Sequence, residues 1–186
     1  IFNFLRARTN RAYTPIYPDD DAVYQAEYTL DVSHLAPQIA MPHQPDNVVD
    51  LDQAIGTPIQ QAFIGTCTGG RYEDLAMAAQ VLRGKKIRTR LIIIPASADV
   101  MLRATQTGVL ADLISAGASI ATPGCGPCMG NHLGVPADDE ATISTGSRNF
   151  KGRMGTTNAP IYLANPYVVA ASAICGEIVH PDEVMS

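Results

Sequence analysis

At 186 residues, with 46% apolar and 17% charged residues, the chain is long and apolar enough to bury a sizeable core, and this excludes a disordered segment. Its formal net charge of −5, with no basic stripe and no Trp, excludes a nucleic-acid-binding surface of the usual kind. No apolar run approaches the ~20 residues that a membrane span requires.

The opening residues, Ile1 to Arg8, have neither the apolar core nor the small-residue cleavage site of a signal peptide. They read as the last turns of a helix. Since no initiator Met opens the chain, residues 1–15 are expected to end a helix from a missing upstream segment. Residues 16–186 are expected to form one domain. A proline-punctuated stretch, Thr14 to Asp21, precedes a segment with strand character, Ala26 to Val32. Pro37, Pro42 and Pro45 then predict a surface loop, because proline breaks helices and cannot donate to a sheet. His34 and His43 lie in that loop and are expected to be solvated or locally bonded.

From Gln60 the texture changes to alternating strand and helix signals. Gln60 to Ile64 is a short apolar run that ends in a glycine-rich turn, Gly65-Thr66-Cys67-Thr68-Gly69-Gly70. Leu75, Ala78, Ala79 and Leu82 recur at spacings of three and four and predict a helix over 72–82. Glu73 and Asp74 suit its positive end. Arg90 to Pro95 is apolar enough to be a strand buried on both faces. Ser97 is placed to cap a helix reaching towards Thr107, and Val109 to Ser115 gives another. Two further short strands, Ala118–Ala121 and Glu140–Ser144, lead towards Cys125 and Arg148. A small-residue helix over about 165–174 closes the series, with Gly176 beyond it. This alternation predicts an α/β fold with a largely parallel sheet covered on both faces. Ligands bind outside the carboxyl ends of such strands. Cys67, Cys125 and Arg148 each follow a proposed strand closely, so the fold should gather them at one edge.

Cysteine is scarce. Two of four sit in Gly124-Cys125-Gly126-Pro127-Cys128-Met129-Gly130, and such a C-x-x-C in a chain too poor in cysteine for a disulfide scaffold points to metal or redox chemistry in the cytoplasm. Three readings stand. A redox pair needs a helix after the motif to activate the thiol, and the glycines here make poor helix. A structural zinc could use Cys125, Cys128, His132 and Cys67, although such staples serve domains that lack a core. The third is an iron–sulfur cluster on three thiolates, which leaves one iron with an exchangeable position. Glycines let the backbone approach a bulky inorganic core, and their N–H groups can bond its sulfides. Cys175, in a small apolar helix, reads as a packed hydrophobe.

Cys67-Thr68-Gly69-Gly70-Arg71-Tyr72-Glu73-Asp74-Leu75, Cys125-Gly126-Pro127-Cys128-Met129-Gly130 and Arg148-Asn149-Phe150-Lys151-Gly152-Arg153, in this order, resemble the aconitase superfamily. Within it the chain is most similar to the large, cluster-bearing subunits of 3-isopropylmalate dehydratase and homoaconitase. Tyr17-Pro18-Asp19 and Pro42 to Val48 extend the likeness over nearly the whole chain. The resemblance implies a three-layer α/β/α iron–sulfur domain, with a [4Fe-4S] cluster on Cys67, Cys125 and Cys128. Arg148 and Arg153 would bind carboxylates of a small organic acid or orient the site. It also implies a hydro-lyase that moves a hydroxyl group by dehydration and rehydration. The serine base would come from a small subunit or swivelling domain, and further catalytic groups from missing upstream domains. No catalytic residue is expected in this stretch, which alone should not turn over. Two positions depart from the family pattern: Gly69 replaces the usual Asn after Cys-Thr, and Gly146-Ser147 precedes Arg148 where Thr/Ser-Asn is common.

Overall fold

Arg90–Ile93 forms β4 in a computed structural model that describes residues 1–185, and its apolar residues are buried on both faces of a sheet. The other strands are β1 (Gln38–Ala40), β2 (Val48–Asp50), β3 (Gln61–Ile64), β5 (Ser119–Ile120), β6 (Thr142–Ser144) and β7 (Ile161–Leu163). Their order is β2-β1-β7-β6-β3-β4-β5. From β7 to β5 all pairings are parallel, and β1 joins β7 and β2 antiparallel at one side. The sheet is thus mixed and mostly parallel, as the alternating elements predict.

The helices are α1 (Phe2–Arg6), α2 (Thr66–Gly69), α3 (Tyr72–Leu82), α4 (Ala98–Gln106), α5 (Val109–Ala116), α6 (Pro166–Cys175) and α7 (Asp182–Met185). Local chemistry sets their ends. Asp74 accepts from the backbone N–H of Arg71 at 2.9 Å ahead of α3. Ser97 Oγ accepts from Val100 at the start of α4, and Asn165 Oδ1 from Val168 at the start of α6. Gly117 and Gly176 stop α5 and α6 in the left-handed conformation.

Side-chain alternation along the strands divides the packing in two. Ala62, Ile64, Leu91, Ile93 and Ile143 face α3, α5 and α6, where Leu75, Leu82 and Leu113 are buried with them. Each such Leu or Ile side chain contributes roughly 1.5–3 kcal/mol on leaving water. Phe63, Ile92 and Ile161 face the other way. Their partners are Met154, with Ala121, Cys128 and Leu163 at the margin. Met154, Ala121 and Cys128 belong to connections that leave the carboxyl ends of strands. On this face the cover is loop and 3-10 turn instead of long helix, and the cysteine loop is part of it.

Two expectations need correction. Ala26 to Val32 is irregular and exposed, because a strand needs a hydrogen-bonded neighbour and this segment has none among the described residues. It lies in a separate unit, Ile1–Leu35, whose organised part is α1 with Phe2 stacked on Tyr13 at 5.9 Å. Conversely, the proline-rich stretch after Pro37 is not all loop. Ile39 pairs with Val49, and Ala40 with both Val48 and Leu163, so the prolines flank two short strands.

Candidate metal centre

The turn carrying Cys67 follows β3 directly and is built by hydroxyls. Thr66 Oγ1 accepts from the N–H groups of Thr68 and Gly69 at 3.2 and 3.1 Å, which steadies the single turn of α2 from its first residue. Thr66 itself holds φ at +79°, a conformation that a β-branched residue adopts only under constraint. The constraint comes from Thr145, just past β6. Its Oγ1 accepts from Gly65 N–H at 3.0 Å and donates to the Gly69 carbonyl at 2.7 Å. One hydroxyl therefore ties the Cys67 turn to the segment that leads to Arg148.

Cys125 and Cys128 follow β5. Cys125 precedes a 3-10 turn, Gly126–Met129, that ends at Gly130 with φ +77°. The motif does not open a helix, so the helix terminus that activates a redox C-x-x-C is missing here. Phe63 and Ile94 form a common floor for both turns. A Cβ on Gly65 would lie 2.6 Å from Phe63 Cζ, and one on Gly126 would lie 3.5 Å from the same atom. The Phe63 ring excludes a side chain at Gly65, and Ile94 excludes one at Gly126, where a Cβ would overlap its Cδ1, so both turns rest on this floor. Cys67 and Cys125 are exposed and Cys128 is half-buried, and all three are free thiols.

The loop after β6 completes the edge. Arg148 is exposed and, among the described residues, pairs with no acidic side chain. Arg153 is half-buried, and its Nη2 lies 3.7 Å from Cys128 Sγ. Asn149 is fully buried and anchors the loop, donating through Nδ2 to the carbonyls of Met41 at 2.8 Å and Ile161 at 3.1 Å. His43 pairs with Phe150 through an isolated parallel bridge. It is half-buried beside this loop, so of the two expectations, solvated or locally bonded, full solvation does not hold.

Among the described residues, no three Cys, His, Asp or Glu side chains converge as ligands of one ion, and His132 is exposed. A single zinc needs four donors at ~2–2.3 Å. A four-iron cluster takes one thiolate per iron and spreads its donors wider. Three features are compatible with that larger group: thiols on two turns over one floor, glycines where the backbone comes closest, and unfilled polar atoms in or beside the 148–153 loop. His43 Nδ1, Asn149 Oδ1 and Arg153 Nε are buried without a hydrogen-bond partner, and all three belong to the 148–153 loop or to the residue paired with it. Buried polar atoms left unpaired are costly. Cys175 is different: it packs against the main core, and burial pushes its thiol up, with Glu183 adding to the effect.

Reasoning from the sequence singled out the three thiols and both arginines as candidates, and the structure places them on the turns and loop that follow β3, β5 and β6. It missed Thr66, Thr145, His43 and Asn149, which act through backbone or packing. The small residues around Cys67 were the available signal for the first two.

Residues 52–176 match the aconitase family (aconitate hydratase). Among similar proteins, one named as a probable methanogen homoaconitase large subunit from Methanosarcina mazei is 50% identical, over 98% of this chain and 46% of its own. The 3-isopropylmalate dehydratase large subunit 1 of Methanopyrus kandleri is 51% identical over 96% of this chain and 43% of its own. The homoaconitase large subunit of Thermus thermophilus is 51% identical over 91% and 41%. The chain spans less than half the length of each of these relatives.

Proposed function

The chain belongs to the aconitase family, and from that premise we propose that it is the cluster-bearing part of a hydro-lyase acting on a 2-hydroxy di- or tricarboxylic acid. A 3-isopropylmalate dehydratase large subunit is the first reading, since relatives of that name match nearly the whole chain. A homoaconitase is the second, carried by relatives of that name at equal identity. Single observation carrying the reading: the Phe63 ring lies under both the Cys67 turn and the Cys125 turn.

Cys67, Cys125 and Cys128 would hold a [4Fe-4S] cluster. When bound through only three thiolates, such a cluster offers a Lewis-acidic iron to a substrate oxygen. The chain's own groups do the rest of what this part can do. Arg148, exposed and without an acidic partner among the described residues, offers a planar fork to a carboxylate. Thr66 and Thr145 hold the Cys67 turn, so the thiol nearest β3 keeps its place. Asn149 fixes the backbone that carries both arginines. Arg153 orients the site from its half-buried position.

Proton abstraction from carbon needs a base at the substrate, and the resemblance supplies it as a serine on a small subunit or swivelling domain. Upstream domains of the same large subunit would close the pocket. The compartment is the cytoplasm. No helix of the described residues is long and apolar enough to cross a membrane.

The test is a complementation assay. The chain, loaded anaerobically with iron and sulfide, is mixed with the complementary upstream and small-subunit parts, and formation of the unsaturated acid is followed with several 2-hydroxy acids. Turnover should require every part. Robust hydro-lyase activity from this chain alone would overturn the division of labour, and insulin-reductase activity without bound iron would overturn the family chemistry.

A further inference from the structure

Large apolar side chains are exposed far more densely in the unit Ile1–Leu35 than in the rest of the chain. No residue of this unit is buried, and eleven of its large apolar residues are exposed, against nine in residues 36–185. The clearest pattern is Ala26-Glu27-Tyr28-Thr29-Leu30-Asp31-Val32. Tyr28, Leu30 and Val32 alternate with Glu27, Thr29 and Asp31, which in extended backbone puts apolar groups on one face and polar groups on the other. The three apolar residues are 86%, 82% and 65% exposed. Among the described residues, no backbone group from Val23 to Asp31 bonds another backbone group. The segment nevertheless has a defined end. Asp31 Oδ1 accepts from the Ser33 N–H at 2.9 Å, and the Val32 carbonyl accepts from the Leu35 N–H at 3.3 Å. A lone strand of this kind becomes stable only when a second strand takes its backbone groups and an apolar surface takes its face.

Resting on the reading that this chain is part of a large subunit, we propose that Ala26–Val32 is a docking strand, which forms by adding to the edge of a sheet in the remainder of that subunit. More than half of each matched relative lies outside the matched stretch, so such a subunit has ample chain to supply the edge. A second copy of this chain is the poorer occupant. Antiparallel pairing centred on Thr29 sets Glu27 against Asp31 twice. Parallel pairing in register sets Glu27 on Glu27 and Asp31 on Asp31. Like charges directly opposite one another destabilise a strand pair. No Lys or Arg lies between Arg11 and Arg71 to offset them. The partner strand is therefore apolar on one face and neutral or basic on the other. Recognition by strand addition takes its affinity from main-chain hydrogen bonds and its selectivity from alternate side chains.

The test measures backbone hydrogen–deuterium exchange on the full 186-residue chain, alone and mixed with the complementary part of the large subunit. Dissociation constants are measured for wild type, Thr29→Pro, Leu30→Pro, Leu30→Asp and Thr29→Val. The amides of residues 26–32 should exchange freely in the chain alone and be slowed at least about tenfold in the mixture, the scale of one backbone hydrogen bond. Successive N–H groups of a strand point to opposite sides, so one of the two proline variants must remove a donor from the ladder. That variant should bind about tenfold more weakly. Leu30→Asp puts a charge on the apolar face and should weaken binding at least as much. Thr29→Val keeps strand character and should match wild type. Both positions are exposed, so urea melts of the chain alone should not move. If the two parts associate while residues 26–32 stay unprotected and the variants bind like wild type, the inference falls and the large-subunit reading stands. If the chain alone sediments as a dimer with these amides protected, the occupant is a second copy and the inference is overturned. If the parts do not associate, the inference and the large-subunit reading fall together.

Discussion

Gly69 and Thr145 touch where no side chain fits: a Cβ on Gly69 would overlap the Thr145 carbonyl and sit 2.7 Å from its Oγ1. The family's usual Asn at this position has no room in this chain, and the close approach is what lets the Thr145 hydroxyl reach the Gly69 carbonyl at 2.7 Å. Gly69→Ala should therefore destabilise the fold by about 1–3 kcal/mol, the range for overpacking against backbone. Denaturant titration checks it. Gly69→Asn should cost more than Gly69→Ala, and equal stability of the two would show that the turn can yield.

Thr145→Val removes a hydroxyl while keeping the shape. Gly65 N–H then loses its acceptor, and the part-buried donor left behind costs about 1–3 kcal/mol. Thr145→Ser should stay close to wild type. The same series, reconstituted with iron and sulfide, should show weaker cluster retention in the valine variant only.

Phe63 is fully buried and supports both cysteine turns. Phe63→Ala should cost about 3–5 kcal/mol, as for other large core deletions. Loss of cluster binding should accompany it, measured as iron per folded chain at a temperature where the variant remains native.

Glu140 lies at the opposite end of the strands. The Ala137 N–H at 2.9 Å, and then the Arg90 guanidinium at 2.6 Å, hold its carboxyl below the ordinary 4.5. A carboxyl lowered on folding is protonated more readily in the unfolded chain. Its stabilisation is complete above pH 4.5 and disappears as pH falls through the lowered value. Glu140→Gln should remove roughly 0.2–1 kcal/mol near neutrality, the scale of a partly exposed pair. It should also flatten the loss of stability in acid, which urea melts across that window would record. An unchanged acid limb would show that Glu140 is not its source.

What could be read from residues alone follows their physics. The helix Tyr72–Leu82 was legible to the residue because its apolar spacing, acidic first turn and following Gly84 agree. The strand Arg90–Ile93 was legible because it is apolar throughout. The Gln38–Asp50 pair was not, since its strands are three residues each and are held by pairing with each other and, at Ala40, with β7. Nor was Ile161–Leu163, too short to show a period. Ala26–Val32 has strand composition but no neighbour to bond among the described residues. In the site, the thiols announce themselves by type and spacing. Thr145 and Asn149 work by hydrogen bonds to distant backbone, which no local pattern encodes.

Iron uptake by a cysteine series decides the account. Wild type and the variants Cys67→Ser, Cys125→Ser, Cys128→Ser and Cys175→Ser are reconstituted anaerobically, and visible absorption and iron per chain are measured. Wild type and Cys175→Ser should turn brown with the iron content of a four-iron cluster, and each of the other three should lose it. A stable cluster in Cys67→Ser, or a colourless wild type under the same conditions, would contradict the claim that the turns after β3 and β5 hold one inorganic core between them.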